Sequence, residues 1–307
     1  MRCLVTGGTG LVGSNLVRLL LQHGWQVAAL MRPTSNPWRI QDVINSMEVI
    51  PGDLSSINSA GSAIREFDPD IVFHMGWHGV GNRCHNSPEQ ITQNLVGSMA
   101  LLQLVSGTCC KRWIGLGSQA EYGPRNGVLR ERLVPRPETS YGLAKLCSGL
   151  LSMNLCEAYG IGFTWLRLLA VYGPADDPEH LIPYVILSLI RGQKPSLTDG
   201  EQQWDYLYVE DAAAAIYQAA LAAQGQGIFN LGSGESHSVR DVAQHIRDLF
   251  DPSLPLGFGE VPYKSGQVMH LQASITRLRK ATGWTPQVPL AEGLARTVTW
   301  YRLQDTR

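Results

Sequence analysis

The 307-residue chain lacks the features that mark several classes of protein. Its formal net charge is -1 and it has no run of basic residues, so we expect neither nucleic acid nor an anionic membrane surface as a partner. Its longest apolar stretches, residues 184–190 and 212–223, are shorter than the ~20 residues that cross a bilayer. The N-terminal residues show no export signal. These absences predict a soluble protein of the cytoplasm.

The cysteines and histidines form no recognisable binding pattern. The six cysteines include no Cys-x-x-Cys pair, and in a chain of this length they do not indicate a disulfide framework. Reduced thiols fit a cytoplasmic location. The eight histidines are scattered and form no cluster with cysteine, so we expect no metal site.

Short β-branched segments alternate with helical patterns through the first half of the chain. The predicted strands are residues 3–6, 27–31, 48–50, 71–75, 113–116 and 163–168. Strands separated by helical crossovers indicate an α/β fold with a Rossmann doubly wound parallel sheet. The composition changes after residue 168, and a helix and a strand pattern return near residues 209–232. We therefore predict a first domain of residues 1–168 with return segments near 209–232, and a smaller C-terminal lobe of residues 169–307 interleaved in sequence.

Three glycines of the segment GGTGLVG stand where the first predicted strand ends and the first helix begins. Glycines there let backbone amides and the positive end of the helix approach a pyrophosphate. The trio alone also fits a plain tight turn, but its place in a strand-helix-strand pattern predicts an adenine dinucleotide site. The residues predicted to bind this cofactor are Gly7, Thr9, Gly10, Leu11, Val12, Gly13, Arg32, Ser35, Asp53, Leu54, Met75, Gly76, Trp77, Tyr141, Lys145, Leu168 and Val171.

Arg32 stands 19 residues after Gly13, where an acidic residue would bind the ribose 2′-hydroxyl of NAD. An arginine offers a permanent positive charge and several donors to a 2′-phosphate, and Thr34, Ser35 and Asn36 could add hydrogen bonds. The pattern favours NADP(H). The alternative is a surface arginine, with NAD(H) held by other contacts.

Asp53 and Leu54 follow the third predicted strand. There Asp53 could reach an adenine amine while Leu54 packs against the ring. Asp53 could equally cap the helix that follows. The two roles are compatible.

Ser118, Tyr141 and Lys145 are the candidate catalytic residues. Tyr141 and Lys145 are four residues apart and so share one helix face. We expect the ammonium group, together with an oxidised nicotinamide, to stabilise the phenolate and lower the pKa of the phenol. Reduction of a ketone needs a proton donor at its oxygen, and hydrogen bonds to the developing alkoxide lower the barrier. Tyr141 would donate that proton, and Ser118 would polarise the carbonyl.

The motifs GGTGLVG, GDL, GLGSQAEYG, YGLAK, RLLAVYGP, WDYLYVED and GWTP follow in one order over nearly the whole chain. In this the chain resembles the extended short-chain dehydrogenase/reductase family, in its nucleotide-sugar epimerase, dehydratase and ketoreductase branch. The resemblance implies the fold, an NAD(P) cofactor and a nucleotide-linked hexose substrate. It also implies that Ser118 is the family's catalytic Ser/Thr, Tyr141 its acid/base and Lys145 its ribose-binding lysine.

Within this branch the chain resembles reductases and epimerases more than dehydratases. Dehydratases place Asp-Glu after the catalytic Thr, whereas Gln119 and Ala120 stand here and neither transfers a proton. We therefore expect no 4,6-dehydratase. NADPH is the usual cellular reductant, so Arg32 favours reduction of the 4-keto group of a nucleoside-diphosphate-linked 6-deoxyhexose. An epimerase is the alternative.

The substrate site departs from the family pattern. Trp204 stands where many relatives have a diphosphate-clamping Arg, Ala170 replaces a common Asn, and Lys264 approximates a second Arg. Phosphates would then rely on Lys264, Arg191 or Lys194, or a base would stack on Trp204. Packing explains Trp204 equally well. The predicted substrate residues are Trp77, His78, Arg83, Ser118, Gln119, Tyr141, Trp204 and Lys264, although Trp77 could be lid packing and His78 could face solvent.

Residues 88–106 and 140–158 form helical patterns that are apolar on more than one side. Relatives pair these helices in a homodimer, and we expect the same here; burial beneath the second lobe is the alternative. Two other functions stay open. One is a non-catalytic NADP-binding sensor or scaffold, and the other is a reductase of a small aldehyde or ketone without a nucleotide.

Overall fold

The structure, a computed structural model, describes residues 1–305, apart from the side chains of Asn82 and Asp305. These residues form thirteen strands. The strands are β1 (Arg2–Thr6), β2 (Gln26–Met31), β3 (Glu48–Pro51), β4 (Ile71–His74), β5 (Arg112–Ser118), β6 (Gly127–Leu129), β7 (Gly162–Leu168), β8 (Ala170–Tyr172), β9 (Gln203–Trp204), β10 (Tyr206–Tyr208), β11 (Gly227–Leu231), β12 (His237–Ser238) and β13 (His270–Ala273).

The described chain also forms nine α-helices, the last two of which follow the last strand. They are α1 (Leu11–Gln22), α2 (Gly61–Phe67), α3 (Val96–Val105), α4 (Ser140–Tyr159), α5 (Leu181–Ile190), α6 (Val209–Leu221), α7 (Val239–Asp248), α8 (Thr276–Thr282) and α9 (Leu290–Asp305). Short 3₁₀ helices occupy Trp38–Ile40, Ile44–Ser46, Leu54–Ala60, Asn82–Cys84 and Gln119–Tyr122, and a π-helical segment, Gln90–Leu95, leads into α3.

The seven strands of the main sheet run in the order β11-β7-β5-β4-β1-β2-β3, and all neighbours are parallel. The chain winds outward from β1 in both directions, so the strand order reverses between β1 and β4. This confirms the predicted α/β fold with a Rossmann sheet. The six predicted strands differ from β1–β5 and β7 by at most two residues at either end.

Apolar residues cover both faces of the main sheet, as buried parallel strands require. One face packs Leu16, Val17 and Leu20 of α1 and the small residues of α6 against β1 and β4. The other face packs the helices around α3 against Trp113 and Trp165, whose side chains are fully buried. The two layers of helices leave the carboxyl ends of the strands accessible at one edge of the sheet.

A third apolar cluster joins α5, α7 and α9 to β8 and β10. Beside it lies a four-stranded sheet in the order β12-β9-β13-β6. The segments α6 and β11 return from this region to the main sheet. The division into residues 1–168 with 209–232 and residues 169–307 stays our proposal, and the last two residues of that lobe lie outside the described chain. No described helix is both long enough and apolar enough to cross a membrane.

Candidate active site

The turn between β1 and α1 brings backbone segments into close contact. Gly7 has φ +71°, and a Cβ there would lie 2.7 Å from the backbone nitrogen of Gly76. A Cβ on Gly13 would lie 2.1 Å from the carbonyl oxygen of Gly7. Among the described residues, no side chain caps α1 at Gly10. The uncapped, positive end of the helix and the bare backbone therefore fit the pyrophosphate of a dinucleotide.

A cleft of about 640 Å³ opens at the carboxyl ends of β1 and β4, where the strand order reverses. Ligands of open α/β sheets bind at such a point. Every residue that the sequence predicts as a cofactor contact lines this cleft. Ser118, Trp77 and His78 line it as well. The structure thus gathers these residues, while their binding roles stay predictions.

Arg32 and Asp53, the two charged residues that the sequence predicts to contact the adenosine part of the cofactor, lie at the end of the cleft near β2 and β3. Arg32 Nε lies 4.0 Å from Asp53 Oδ2, and Arg32 Nη1 lies 3.4 Å from His78 Nδ1. The Oδ1 atom of Asp53 accepts a hydrogen bond of 2.8 Å from the backbone N–H of Ser55, so Asp53 also caps the 3₁₀ helix that follows. Thr34, Ser35 and Asn36 line the same end.

Arg39 also lines the cleft, and the sequence reasoning missed it. Its Nε donates to the carbonyl oxygen of Ala175 at 2.8 Å, and its Nη1 donates to that of Thr9 at 3.3 Å. The guanidinium therefore ties the glycine turn to the loop after β8. Its position seven residues after Arg32 is the only sequence signal that could have marked it.

Ser118 ends β5 and caps the 3₁₀ helix Gln119–Tyr122. Its Oγ accepts from the backbone N–H of Ala120 at 3.1 Å, and its own N–H donates to Glu121 Oε1 at 2.9 Å. Glu121 is buried and forms an ion pair of 2.7 Å with Arg167. This capping box holds the serine hydroxyl in the lining of the cleft.

Tyr141 lies in the first turn of α4, and its phenol lies near the Ser118 hydroxyl. Burial raises the pKa of Tyr141, and the hydrogen bond from Ser118 lowers it by less. The Tyr141 ring stacks on His85, with centroids 4.7 Å apart, and meets the Trp77 ring edge-on at 6.3 Å. The sequence reasoning did not identify His85. The expectation that Lys145 makes this phenol unusually acidic is wrong for the chain alone, because desolvation dominates.

Lys145 is buried one turn further along α4. Its Nζ donates to the carbonyl oxygen of Leu116 at 2.7 Å and lies 3.9 Å from the ring centroid of Trp77. Burial lowers the pKa of Lys145 to about 7, and the negative charge of Glu121 opposes this shift. The amine is therefore only partly protonated near neutral pH.

Two buried amides of the π-helical segment hold the loop that follows β4, and the sequence reasoning missed both. Gln90 Oε1 accepts from Trp77 Nε1 at 2.7 Å, and Gln90 Nε2 donates to the carbonyls of Gly79 and Cys84. Asn94 bonds to the backbone N–H and C=O of His78. A π-helical turn is a frequent feature of functional sites, but the sequence carries no clear sign of it.

Four predicted substrate residues do not line this cleft. Arg83 is exposed and pairs with Glu179 at 2.9 Å. Gln119 belongs to the 3₁₀ helix behind Ser118, Trp204 is half-buried in β9, and Lys264 is exposed in the loop before β13. Arg191 and Lys194 are exposed just after α5. The structure therefore does not gather a diphosphate clamp from these side chains, and their roles stay predictions.

Comparison with known proteins identifies the family. The model of the NAD dependent epimerase/dehydratase family matches residues 3–232. The dTDP-glucose 4,6-dehydratase of Streptomyces niveus is 26% identical over 98% of this chain and 93% of its own length. The UDP-glucose 4-epimerase of Mycolicibacterium smegmatis is 28% identical over 98% of this chain and 99% of its own.

Solved structures of similar proteins cover the whole fold. UDP-glucose 4-epimerase of Thermotoga maritima, solved with UDP-glucose, superposes with a TM-score of 0.90 at 25% identity over 99% of both chains. UDP-glucose 4-epimerase of Thermus thermophilus, solved with NAD, gives 0.87 at 28% identity over 98% of this chain and 99% of that one. The cleft, the glycine turn and these likenesses together show that the chain belongs to the NAD dependent epimerase/dehydratase family and is an NAD(P)-dependent enzyme of the short-chain dehydrogenase/reductase type.

Proposed function

We propose that the protein is a nucleotide-sugar 4-epimerase that uses a nicotinamide dinucleotide. The observation that carries this proposal is the convergence of Ser118, Tyr141 and Lys145 in the cleft whose other end is the glycine turn. Such a site serves an alcohol and a ketone equally, because the phenol can accept or donate one proton at the same oxygen. Epimerases among its relatives support this reading over a 4-ketoreductase, which was the first expectation from the sequence.

The residues of the chain divide the work as follows. The bound nicotinamide supplies the acceptor and the donor of hydride. The backbone around Gly7 and Gly13 would hold the pyrophosphate, and Lys145 the adjoining ribose. Tyr141 would take the proton of the sugar hydroxyl during oxidation and return it during reduction, while Ser118 hydrogen-bonds the same oxygen. Epimerisation requires that the keto sugar rotate between the two steps, so that hydride returns to the opposite face of the carbonyl.

Glu121 supports the exclusion of 4,6-dehydratase chemistry. It is the carboxylate nearest in sequence to Ser118, but it is buried and bonded to Arg167 and to Trp165 Nε1. A carboxylate in that state cannot reach a substrate. Gln119 and Ala120 provide no replacement.

The test is incubation with UDP-, dTDP-, GDP- and CDP-linked hexoses and catalytic NAD or NADP. We expect interconversion of C4 epimers, followed by NMR of the products, without net consumption of cofactor. Tyr141→Phe should abolish turnover, whereas Tyr159→Phe, at the exposed end of the same helix, should keep it. Formation of a 4-keto-6-deoxy sugar would contradict the proposal. Cofactor binding without turnover across the panel would favour a sensor or scaffold.

A second candidate is the NADPH-dependent reduction of a 4-keto-6-deoxyhexose linked to a nucleoside diphosphate. Arg32 favours it, because a cation at the end of β2 suits a 2′-phosphate, and Arg39 lines the same cleft. Stoichiometric oxidation of NADPH in the presence of a 4-keto sugar nucleotide, with no epimer formed, would establish this candidate instead. Oxidation with a small ketone alone would point to a substrate without a nucleotide.

We also propose a homodimer formed through α3 and α4. Ile91, Val96, Leu143, Leu150 and Leu151 are exposed on these helices and on the segment before α3. Exposed apolar side chains gathered on neighbouring helices are typical of a protein interface.

A further inference from the structure

Trp77 contacts both residues that would move and stabilise the proton. Its ring centroid lies 3.9 Å from Lys145 Nζ, and its plane is nearly perpendicular to that of the Tyr141 ring, with the two centroids 6.3 Å apart. Trp77 also lines the cleft. One indole therefore covers the buried amine and abuts the phenol.

Gln90 fixes the orientation of that indole. Its side-chain oxygen accepts from Trp77 Nε1 at 2.7 Å, and its side-chain nitrogen donates to two backbone carbonyls of the loop after β4, at 2.7 and 3.0 Å. Gln90 is 1% exposed. Because these hydrogen bonds fix the buried Gln90 amide, they also hold the Trp77 indole in a single orientation.

Few groups in the surrounding chain favour a charge on Lys145. Among the described ionisable groups, His74 from β4 and Glu121 beside Ser118 interact electrostatically with Lys145, and Tyr141 lies one turn before it on α4. His85 stacks on Tyr141, and His78 is held by Asn94 in the loop after β4. His74 is neutral because burial lowers its pKa to about 3. The carboxylate of Glu121 is already paired with the Arg167 guanidinium.

An ammonium has three donors. The described protein atoms give it one carbonyl acceptor, that of Leu116, and the face of the Trp77 ring. A cation over the face of a tryptophan is attracted by the ring quadrupole, and the attraction grows when water is excluded. The face of the Trp77 ring therefore stabilises the buried ammonium of Lys145.

We propose that Trp77, oriented by Gln90, is a positioning residue that favours the protonated form of the Lys145 amine in its buried site and so supports proton transfer at Tyr141. The inference rests on the proposed roles of Lys145 and Tyr141 in catalysis. The protonation of Lys145 itself needs no substrate to be observed. It can therefore be tested even if the choice of epimerase is wrong.

The test is the titration of lysine side chains by NMR in the cofactor-free protein with ¹³C-labelled lysine. The chain has five lysines, and the four others are exposed, so the Lys145 Cε signal is separable and is assigned by its loss in Lys145→Arg. We expect the Lys145 midpoint to fall by about one pH unit in Trp77→Leu, the size of one desolvated cation-π contact. Trp77→Phe, which keeps an aromatic face, should restore most of the difference.

The role of Gln90 is tested in the same way. Gln90→Leu should lower the Lys145 midpoint in the direction of Trp77→Leu, whereas Gln103→Leu, on the exposed side of α3, should leave it in place. An unchanged midpoint in Trp77→Leu would overturn the inference, and so would an equal fall in Trp77→Phe, since shape alone would then explain it. Should Trp77→Leu fail to fold, the Trp77→Phe and Gln90→Leu midpoints decide: a Gln90→Leu midpoint equal to wild type overturns the proposal.

Discussion

His85 stacks face to face on Tyr141, with ring centroids 4.7 Å apart and planes 6° apart. The backbone ties the pair together, because Tyr141 N donates to the carbonyl oxygen of His85 at 2.8 Å. An aromatic pair contributes about 0.5–1.5 kcal/mol, so loss of the stack should lower turnover by a factor of roughly 2–12 if it orients the phenol. We expect this loss in His85→Ala and recovery in His85→Phe, measured as kcat. Equal rates in all three proteins would show that the stack does not orient the phenol.

Arg32 should set the preference between the two dinucleotides. Its guanidinium lies near Asp53 and His78 at the end of the cleft beyond β2. Arg32→Ala should weaken NADP(H) binding by about tenfold or more, the scale of one charge-assisted hydrogen bond, and change NAD(H) binding little. Calorimetric Kd values for both cofactors measure this, with Arg279→Ala on α8 as a surface control. Equal or tighter binding of NAD(H) by the wild-type protein would remove the claim of NADP preference.

Lys145 should make the stability of the cofactor-free protein depend on pH. Burial lowers its pKa from 10.5 to about 7. Between these values the unfolded chain binds more protons at this site than the folded chain, so stability rises with pH, by up to about 1.4 kcal/mol per pH unit. Lys145→Met lacks this contribution. We therefore expect it to exceed wild type in stability at pH 7 by more than at pH 9, measured by urea unfolding, and a constant difference would contradict the shifted pKa.

The sequence predicted the parts of the site that depend on backbone pattern. Gly7 and Gly13 were placed correctly because a strand, a tight turn and a helix in that order leave little other use for glycine. The doubly wound parallel sheet followed from the same alternation of elements. Ser118 and Tyr141 could be placed together only through the family resemblance, because they are 23 residues apart and meet across β5 and α4.

The residues missed by the sequence act through long-range packing. Arg39 bonds to the loop after β8, 136 positions away in the sequence. Gln90 holds the loop after β4 from a π-helical segment that the hydrophobic periodicity of the sequence does not predict. The acidity of Tyr141 was also misjudged, since spacing shows that Lys145 is near but not how dry the site is. Burial decides both pKa values, and burial is a property of the assembled fold.

The exposed apolar face of α4 should mediate dimerisation. Leu150 is 45% exposed there, with Leu151 and Met153 beside it in sequence. Leu150→Glu places a charge at the proposed interface, and we expect the protein to sediment as a monomer at micromolar concentration. Leu221→Glu, which is 48% exposed at the end of α6, is the matched control and should remain a dimer. Sedimentation of the wild-type protein as a monomer would refute the proposed interface.

The stability of the fold should depend strongly on the ion pair between Glu121 and Arg167. Both side chains are buried, and Glu121 also bonds to Ser118 N and Trp165 Nε1. Removal of one partner leaves a buried charge uncompensated, at a cost of about 3–5 kcal/mol, whereas an apolar replacement of both avoids that cost. Glu121→Leu and Arg167→Met should therefore each lose several kcal/mol in urea unfolding, and the Glu121→Leu/Arg167→Met double variant should lose less than the sum. Because the amide oxygen introduced by Glu121→Gln can still accept from Ser118 N, that variant should keep the serine capped and retain more activity than Glu121→Leu at a temperature where both are folded. Additive losses in stability would show that the two charges are not coupled.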